Sequence, residues 1–154
     1  MPGRAEPRFV VDAMLKNLVS WLRILGYDTI YCGGEDAEVL RIAENERRII
    51  LTMDRGLALT ALRRGLPVAL IPENDVSKIL AKLASKYGIS LEFDARSTRC
   101  PICNHELLLS MTNGREEWTC QSCGKKYWKG SHWKNISRTI AEARRYLAQR
   151  GSGN

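Results

Sequence analysis

The sequence predicts an α/β domain, a parallel sheet flanked by helices, followed by a small cysteine-built ribbon and a C-terminal helix. Three observations carry that expectation. Between Arg8 and Tyr87, short β-branched apolar runs alternate with longer segments of helical spacing. Four of the five cysteines then form two Cys-x-x-Cys pairs, Cys100/Cys103 and Cys120/Cys123. Beyond them lies a basic amphipathic stretch with Ile136, Ile140, Ala143 and Leu147 at helical spacing.

Phe9 to Val11 reads as the first strand. Met14, Leu15, Leu18, Trp21, Leu22 and Leu25 then share one helical stripe, and Gly26 stands where a left-handed C-terminal cap would end that helix. Thr29 to Cys32 make a second strand and Gly33-Gly34 a turn, with Val39, Leu40, Ile42 and Ala43 as the buried face of a second helix. Ile49 to Leu51 is a continuously apolar third strand, the texture of a parallel sheet covered on both faces. Leu57 to Leu62 supply a third helix ending near Gly65, and Val68 to Ile71 a fourth strand. A last helix runs from about Asp75 to Tyr87, with Val76, Ile79, Leu80, Leu83 and Tyr87 inward and Gly88 closing it. Right-handed crossovers then put helices on both faces and leave the crevice at the C-terminal ends of the strands as the expected active site.

Ile89 to Arg99 reads as a connector. The expected divisions are 8–94 for the α/β domain, 95–134 for the ribbon and 135–150 for a basic C-terminal helix, with Gly151 to Asn154 disordered. In the ribbon, two thiolate pairs on tight turns wrap a tetrahedral ion from two sides, and Asn113-Gly114 signals a hairpin between them. So small a segment cannot bury enough apolar surface to fold alone, so the ion must stabilise it by on the order of 10 kcal/mol. Four protein ligands leave no open coordination position, which makes the expected Zn²⁺ structural. Two disulfides, or a redox Cys-x-x-Cys, are the competing readings. A reducing compartment disfavours the first, and the second needs only one pair. Cys32 is left over and reads as a small buried hydrophobe.

The net charge of +7 has a location. Residues 1–94 hold thirteen Lys/Arg and thirteen Asp/Glu, whereas the rest holds eleven basic and four acidic residues. The rear is the polyanion-facing part, with a merely solvated basic surface as the alternative. There Lys125, Lys126, Tyr127, Trp128, Lys129, His132, Trp133 and Lys134 interleave cations with aromatic rings. Phosphates and unstacked bases both find partners in such a stretch, so RNA is the expected partner. For any single aromatic, packing of the ribbon on the main domain is an equal explanation. No apolar run approaches the roughly 20 residues of a membrane span. The polar start Met1 to Pro7 lacks the apolar core of a signal peptide, and a cytoplasmic location without membrane contact is expected.

Three aspartates take equivalent places at the C-terminal edge of the sheet. Asp12 ends the first strand, Asp36 opens the helix after the second, and Asp54 follows the third. Clustered carboxylates repel unless a cation sits among them, and Mg²⁺ or Mn²⁺ is the usual oxygen-bound ion. Metal-assisted phosphodiester hydrolysis is the expected chemistry. Each acid also has a bland role as a helix cap, but capping does not explain Asp12 at the end of a buried strand. Glu35, Glu38 and Asp75 are candidates for further ligands, Asp75 also as the cap of the last helix.

The runs Phe9-Val10-Val11-Asp12-Ala13-Met14-Leu15, Trp21 to Thr29, Asp36-Ala37-Glu38-Val39-Leu40 and Leu51-Thr52-Met53-Asp54-Arg55-Gly56-Leu57 resemble the RNase family named after the C-terminal domain of the Mut-seven exonuclease. The cysteine pairs followed by Lys126-Tyr127-Trp128-Lys129-Gly130-Ser131-His132-Trp133 are similar to that family's zinc ribbon. The resemblance spans about Arg8 to Trp133. It implies a PIN-like fold and a metal-dependent ribonuclease site, with the family's first acid at Asp12, its helix-start acid at Asp36 and its Thr-x-Asp acid at Asp54. A fourth acid is expected near Glu73-Asn74-Asp75. The reading is thus an endoribonuclease acting on RNA, with ribosomal and transfer RNA among the candidates. The nearest alternative enzyme reading resembles the Nob-type rRNA endonucleases, which also join a PIN domain to a zinc ribbon, or a toxin-like PIN nuclease. A noncatalytic RNA- or ribosome-binding module is the reading from another class.

Overall fold

The computed structural model describes residues 6–152, without the side chains of Gly151 and Ser152. The polar start is therefore outside the described residues from Met1 to Ala5, as are Gly153 and Asn154 of the expected disordered tail. Strands β1 (Phe9–Asp12), β2 (Thr29–Cys32), β3 (Ile49–Thr52) and β4 (Val68–Leu70) form a parallel sheet in the order β2-β1-β3-β4. Helices α1 (Leu18–Ile24), α4 (Val76–Tyr87) and α5 (Trp133–Ser152) share one core with Phe9, Val11 and Leu51. Helices α2 (Asp36–Glu46) and α3 (Arg55–Arg63) share the other with Val10 and Ile50. The alternation of successive strand residues between two buried clusters is why these strands read as unbroken apolar runs. The chain steps from β1 outward to β2, then back over β1 to β3, and right-handed crossovers send α1 and α2 to opposite faces.

Two expectations need correction. The stripe beginning at Met14 is not one helix: Ala13–Leu15 form a single 3₁₀ turn, and α1 starts at Leu18. The Asp12 side chain caps that turn by accepting from the Ala13 amide at 2.8 Å. With three residues per turn instead of 3.6 the stripe loses phase, so Leu15 stays buried while Met14 is 73% exposed. At the other end, α5 continues to Ser152, so Gly151 and Ser152 are helical rather than disordered. Other local signals operate as expected. Asp75 caps α4 by accepting from the Lys78 amide, and Gly88 closes that helix at φ 74°.

The ribbon is a second, antiparallel sheet of β5 (Leu107–Thr112), β6 (Arg115–Cys120) and β7 (Lys126–Tyr127). Asn113 and Gly114, at φ 53° and 77°, make the left-handed two-residue turn of the β5–β6 hairpin. The connector is packed, not slack. Ile89 and Leu91 are buried in the core on the α1 side, and the Tyr27 hydroxyl accepts from the Ser90 amide at 2.7 Å. Trp118 of β6 is 3% exposed, donates its indole N–H to Ala95 O at 2.8 Å and meets Phe93 edge-on at 5.8 Å. Ile140 and Ala143 bury α5 in the same core, where the Ser77 hydroxyl donates to Thr139 O. Among the described residues no helix is long and apolar enough to cross a membrane.

At the other edge of the sheet, before the strands begin, the Arg48 guanidinium is buried and holds Asp28 Oδ1 at 2.8 Å, with Arg8 on Asp28 Oδ2 at 3.2 Å. Desolvation pushes the Asp28 carboxyl up, but hydrogen bonds from Arg48, Asn104 and Arg8 outweigh it and bring it to about 2. A depressed folded-state value stabilises fully above the unfolded value of about 3.9 and is lost as pH falls toward the folded one. Urea unfolding midpoints are therefore expected to drop between about pH 4 and pH 2. Arg48→Met is expected to cost about 3 kcal/mol at neutral pH and to flatten that slope. An unchanged acid slope in Arg48→Met would remove the pair from this role.

Candidate active site and metal centre

The cysteine centre is assembled from two turns of similar build. After each pair comes a left-handed residue, Asn104 at φ 71° and Gly124 at φ 77°. Their amides donate back to Cys100 O at 2.9 Å and Cys120 O at 2.7 Å, and the Cys123 amide points at Cys120 Sγ at 3.5 Å. All four Sγ atoms lie within 4.8 Å of one another, Cys100 and Cys123 at 3.8 Å and Cys103 and Cys120 at 3.2 Å. A Zn–S bond of about 2.3 Å places tetrahedral sulfurs about 3.8 Å apart, so the set fits zinc with small shifts, among them a spreading of the Cys103–Cys120 pair. The Tyr127 hydroxyl stands 3.2 Å from Cys100 Sγ. Burial pushes the Cys100 thiol up, but Tyr127 and the Cys103 and Ile102 amides bring it down to about 6, toward the thiolate a metal takes.

Asn104 has a second task that the sequence reading missed. Its amide donates to Asp28 Oδ1 at 2.6 Å and its oxygen accepts from the Thr29 amide at 3.1 Å. Arg23 adds a bond to Pro101 O at 2.9 Å. The first cysteine turn is thus clamped to the start of β2, where the strand begins.

The aspartates stand at the opposite edge. Asp12 ends β1 beside Cys32, the last residue of β2. Asp12 Oδ2 accepts from the Thr52 hydroxyl at 2.8 Å, and Thr52 Oγ1 in turn accepts from the Asp54 amide at 3.0 Å. Thr52 is fully buried and ends β3, so this chain of bonds joins the ends of β1 and β3. That is the point where the strand order reverses, the place in an open α/β sheet where ligands bind. Sequence reasoning singled out Asp12 and Asp54 but not Thr52; its hydroxyl in the run Thr52-Met53-Asp54 was the available signal.

Asp54 Oδ1 accepts from the Gly56 and Leu57 amides at 2.8 and 3.2 Å, so it caps α3 while standing at the edge. Asp36 does not cap; it is the first residue of α2, after Glu35. Its carboxyl is pushed up by desolvation and then by the charges of Asp54 and Asp12, which puts the three acids in one field. Glu38 lies against Gly34, where a side chain would collide with it, in the turn after β2. Asp75 is occupied with capping α4, beyond β4 at the sheet's margin. Val10 and Ile50 face the α2/α3 core, so Asp12 and Thr52, two residues on, face the same side. The N-terminal ends of α2 and α3 therefore border the acids and add partial positive charge. Among the described residues the cysteines are the one group of three or more ligand atoms already gathered around a common point. The aspartates share an edge and a field, and a cation would have to draw them in.

A family model, the Mut7-C RNAse domain, matches residues 7–140. The chain belongs to this family. The match takes in both sheets, all four clustered cysteines and the first turns of α5. Comparisons with curated proteins and with solved structures found no match.

In this Mut7-C domain the eight basic and aromatic residues expected to touch RNA divide into two sets. Tyr127 serves the cysteine centre, Trp133 meets Phe93 edge-on at 4.8 Å, Lys126 pairs with Glu117 at 3.8 Å, and Lys129 pairs with Glu116 at 3.3 Å while lying over the Trp133 ring. Those four hold the ribbon together or seat it. Lys125, Trp128, His132 and Lys134 are exposed, and among the described residues their side chains find no hydrogen-bond or ion-pair partner.

Proposed function

We propose that this Mut7-C domain is a cytoplasmic, metal-dependent endoribonuclease in which Asp12, Asp36 and Asp54 hold Mg²⁺ or Mn²⁺ and the zinc ribbon and basic rear hold RNA. The observation that carries the reading is the Asp12–Thr52–Asp54 chain of hydrogen bonds at the switch point. The buried Thr52 hydroxyl, while closing the turn from β3 into α3, fixes the carboxylate of one acid and the backbone of a second. Such an ion, when bound, supplies Lewis-acid catalysis of phosphodiester hydrolysis. Thr52 holds the Asp12 carboxylate in one orientation, and the caps commit Oδ1 of Asp12 and of Asp54, which leaves Asp54 Oδ2 free for an ion. The N-terminal ends of α2 and α3 temper the repulsion that an RNA phosphate would meet here.

Incubating labelled unstructured RNA with the zinc-loaded protein, with and without added Mn²⁺, tests the function. Internal fragments that appear only with Mn²⁺ are expected; absence of fragments in both removes the enzyme reading. Thr52→Val keeps the shape and deletes the hydroxyl, and is expected to slow cleavage about 10-fold or more by loosening Asp12. A Thr52→Val rate equal to wild type would strip Thr52 of that role. The second reading is a noncatalytic RNA- or ribosome-binding ribbon protein. It draws support from the contrast between gathered cysteines and ungathered aspartates.

A further inference from the structure

Between residues 125 and 138 the chain carries Lys125, Lys126, Lys129, Lys134 and Arg138, and no aspartate or glutamate. The backbone leaves β7 at Tyr127, turns through Gly130 and enters α5 at Trp133, with Gly130 N–H on Trp128 O and Trp133 N–H on Gly130 O. That path borders an open pocket of about 270 Å³ whose lining includes Lys126, Tyr127, Trp128, His132, Trp133 and Ile136. The volume lies at the low end of small-molecule sites and suits one ring system rather than a large ligand. Two walls are fixed from behind, Tyr127 by Cys100 and Trp133 by Phe93. Trp128 is different. It is 63% exposed, with neither a ring partner nor a hydrogen bond for its side chain. Gly130 is bare where a Cβ would come within 3.3 Å of the Trp128 indole nitrogen.

The charges of this stretch, of which Lys126 lines the cavity, show the same division. Lys126 and Lys129 are neutralised by Glu117 and Glu116, whereas among the described residues Lys125 and Lys134 have no acidic partner and Arg138 bonds only Asn135. A flat exposed ring with unneutralised cations a few residues away on either side in the chain matches a ligand with a π-face and negative charge on one frame. We infer that this cavity binds one unpaired base of single-stranded RNA, stacked on Trp128, with flanking phosphates held by Lys125, Lys134 and Arg138. The inference rests on the RNA-directed reading above and gives it a substrate class, because a base inside a duplex must first be unpaired and unstacked to enter, whereas an unpaired base pays neither cost. The site is a holding site. Its residues belong to the ribbon and the start of α5, while the reacting edge lies past the ends of β1 and β3.

Binding of labelled unstructured RNA and of a duplex of equal length, without added Mg²⁺ or Mn²⁺, tests it with zinc-loaded wild type, Trp128→Ala and Trp128→Phe. Trp128→Ala is expected to weaken binding of unstructured RNA about 10-fold or more, Trp128→Phe to restore most of it, and the duplex to be indifferent to both. Zinc content and circular dichroism equal to wild type confirm that the variants fold. Equal affinity of Trp128→Ala and wild type, equal loss on both RNAs, or no RNA binding by wild type overturns the base site. The nuclease reading is scored separately by cleavage with Mn²⁺. Cleavage with Trp128-independent binding sinks the pocket alone, and Trp128-dependent binding without any cleavage sinks the nuclease alone.

Discussion

Removing zinc, by strong chelation or by Cys100→Ser, is expected to unfold the ribbon while leaving the α/β domain folded, a loss on the order of 10 kcal/mol to the ribbon. The fully or nearly buried side chains that the ribbon owns between Cys100 and Lys134 are Cys100, Trp118 and Cys120, so two of its three core residues belong to the cysteine cluster that could hold zinc. A single hairpin with a two-residue third strand is marginal in water without such a clasp. Neither core of the α/β domain draws on a ribbon residue, and α5 keeps Ile140 and Ala143 in its own packing. The measurement is paired: near-ultraviolet dichroism from Trp118, now held edge-on to Phe93, and thiol reactivity of Cys100 and Cys120, now buried. Loss of the first and gain of the second at unchanged helix content is expected. Unreactive thiols in metal-free protein would show that the ribbon stands without zinc.

Asp12→Asn is expected to lower Mn²⁺-dependent cleavage about 100-fold or more while leaving thermal stability unchanged or slightly raised. The amide can still accept from the Ala13 amide through its oxygen and donate to Thr52 Oγ1 through its nitrogen, so both local bonds survive in altered form. What disappears is one of the two neighbouring charges that, after desolvation, push the Asp36 carboxyl up. Activity and stability therefore move in opposite directions, a signature that a structural aspartate would not give. Thermal denaturation without added divalent metal, beside a cleavage time course, reads both. A destabilised variant with normal cleavage would make Asp12 a capping residue and nothing more.

Much of the fold was legible because its signals are local. Thr29–Cys32 is the strand the apolar run marks, Asp75 and Gly88 bound α4, and Asn113-Gly114 makes the hairpin. The four cysteines come together as their spacing requires. What stayed hidden depends on partners distant in the chain. Thr52 matters because Asp12, forty residues earlier, ends the neighbouring strand. Asn104 matters because Asp28 lies beside it only after folding, and Trp118 because Ala95 and Phe93 form its slot. Met14 left the core because the Asp12 side chain tightened the following turn, a capping bond that a stripe of apolar residues does not announce. The basic–aromatic stretch looked uniform in sequence. Only the ion pairs of Lys126 and Lys129, the ring contact of Trp133 and the contact of Tyr127 with Cys100 separate its supporting residues from its free ones.

The central claim is that the edge shared by Asp12, Asp36 and Asp54 cuts RNA with a divalent cation. Its most direct test compares zinc-loaded wild type with the Asp12→Asn/Asp54→Asn double variant on labelled single-stranded RNA, across Mn²⁺ and Mg²⁺ concentrations. Metal-dependent internal cleavage by wild type, absent from a double variant that still binds the RNA and retains its zinc, is the result this account requires. Equal cleavage by both proteins would place the chemistry elsewhere, and no cleavage by either would leave a zinc-ribbon RNA-binding protein with an idle acidic edge.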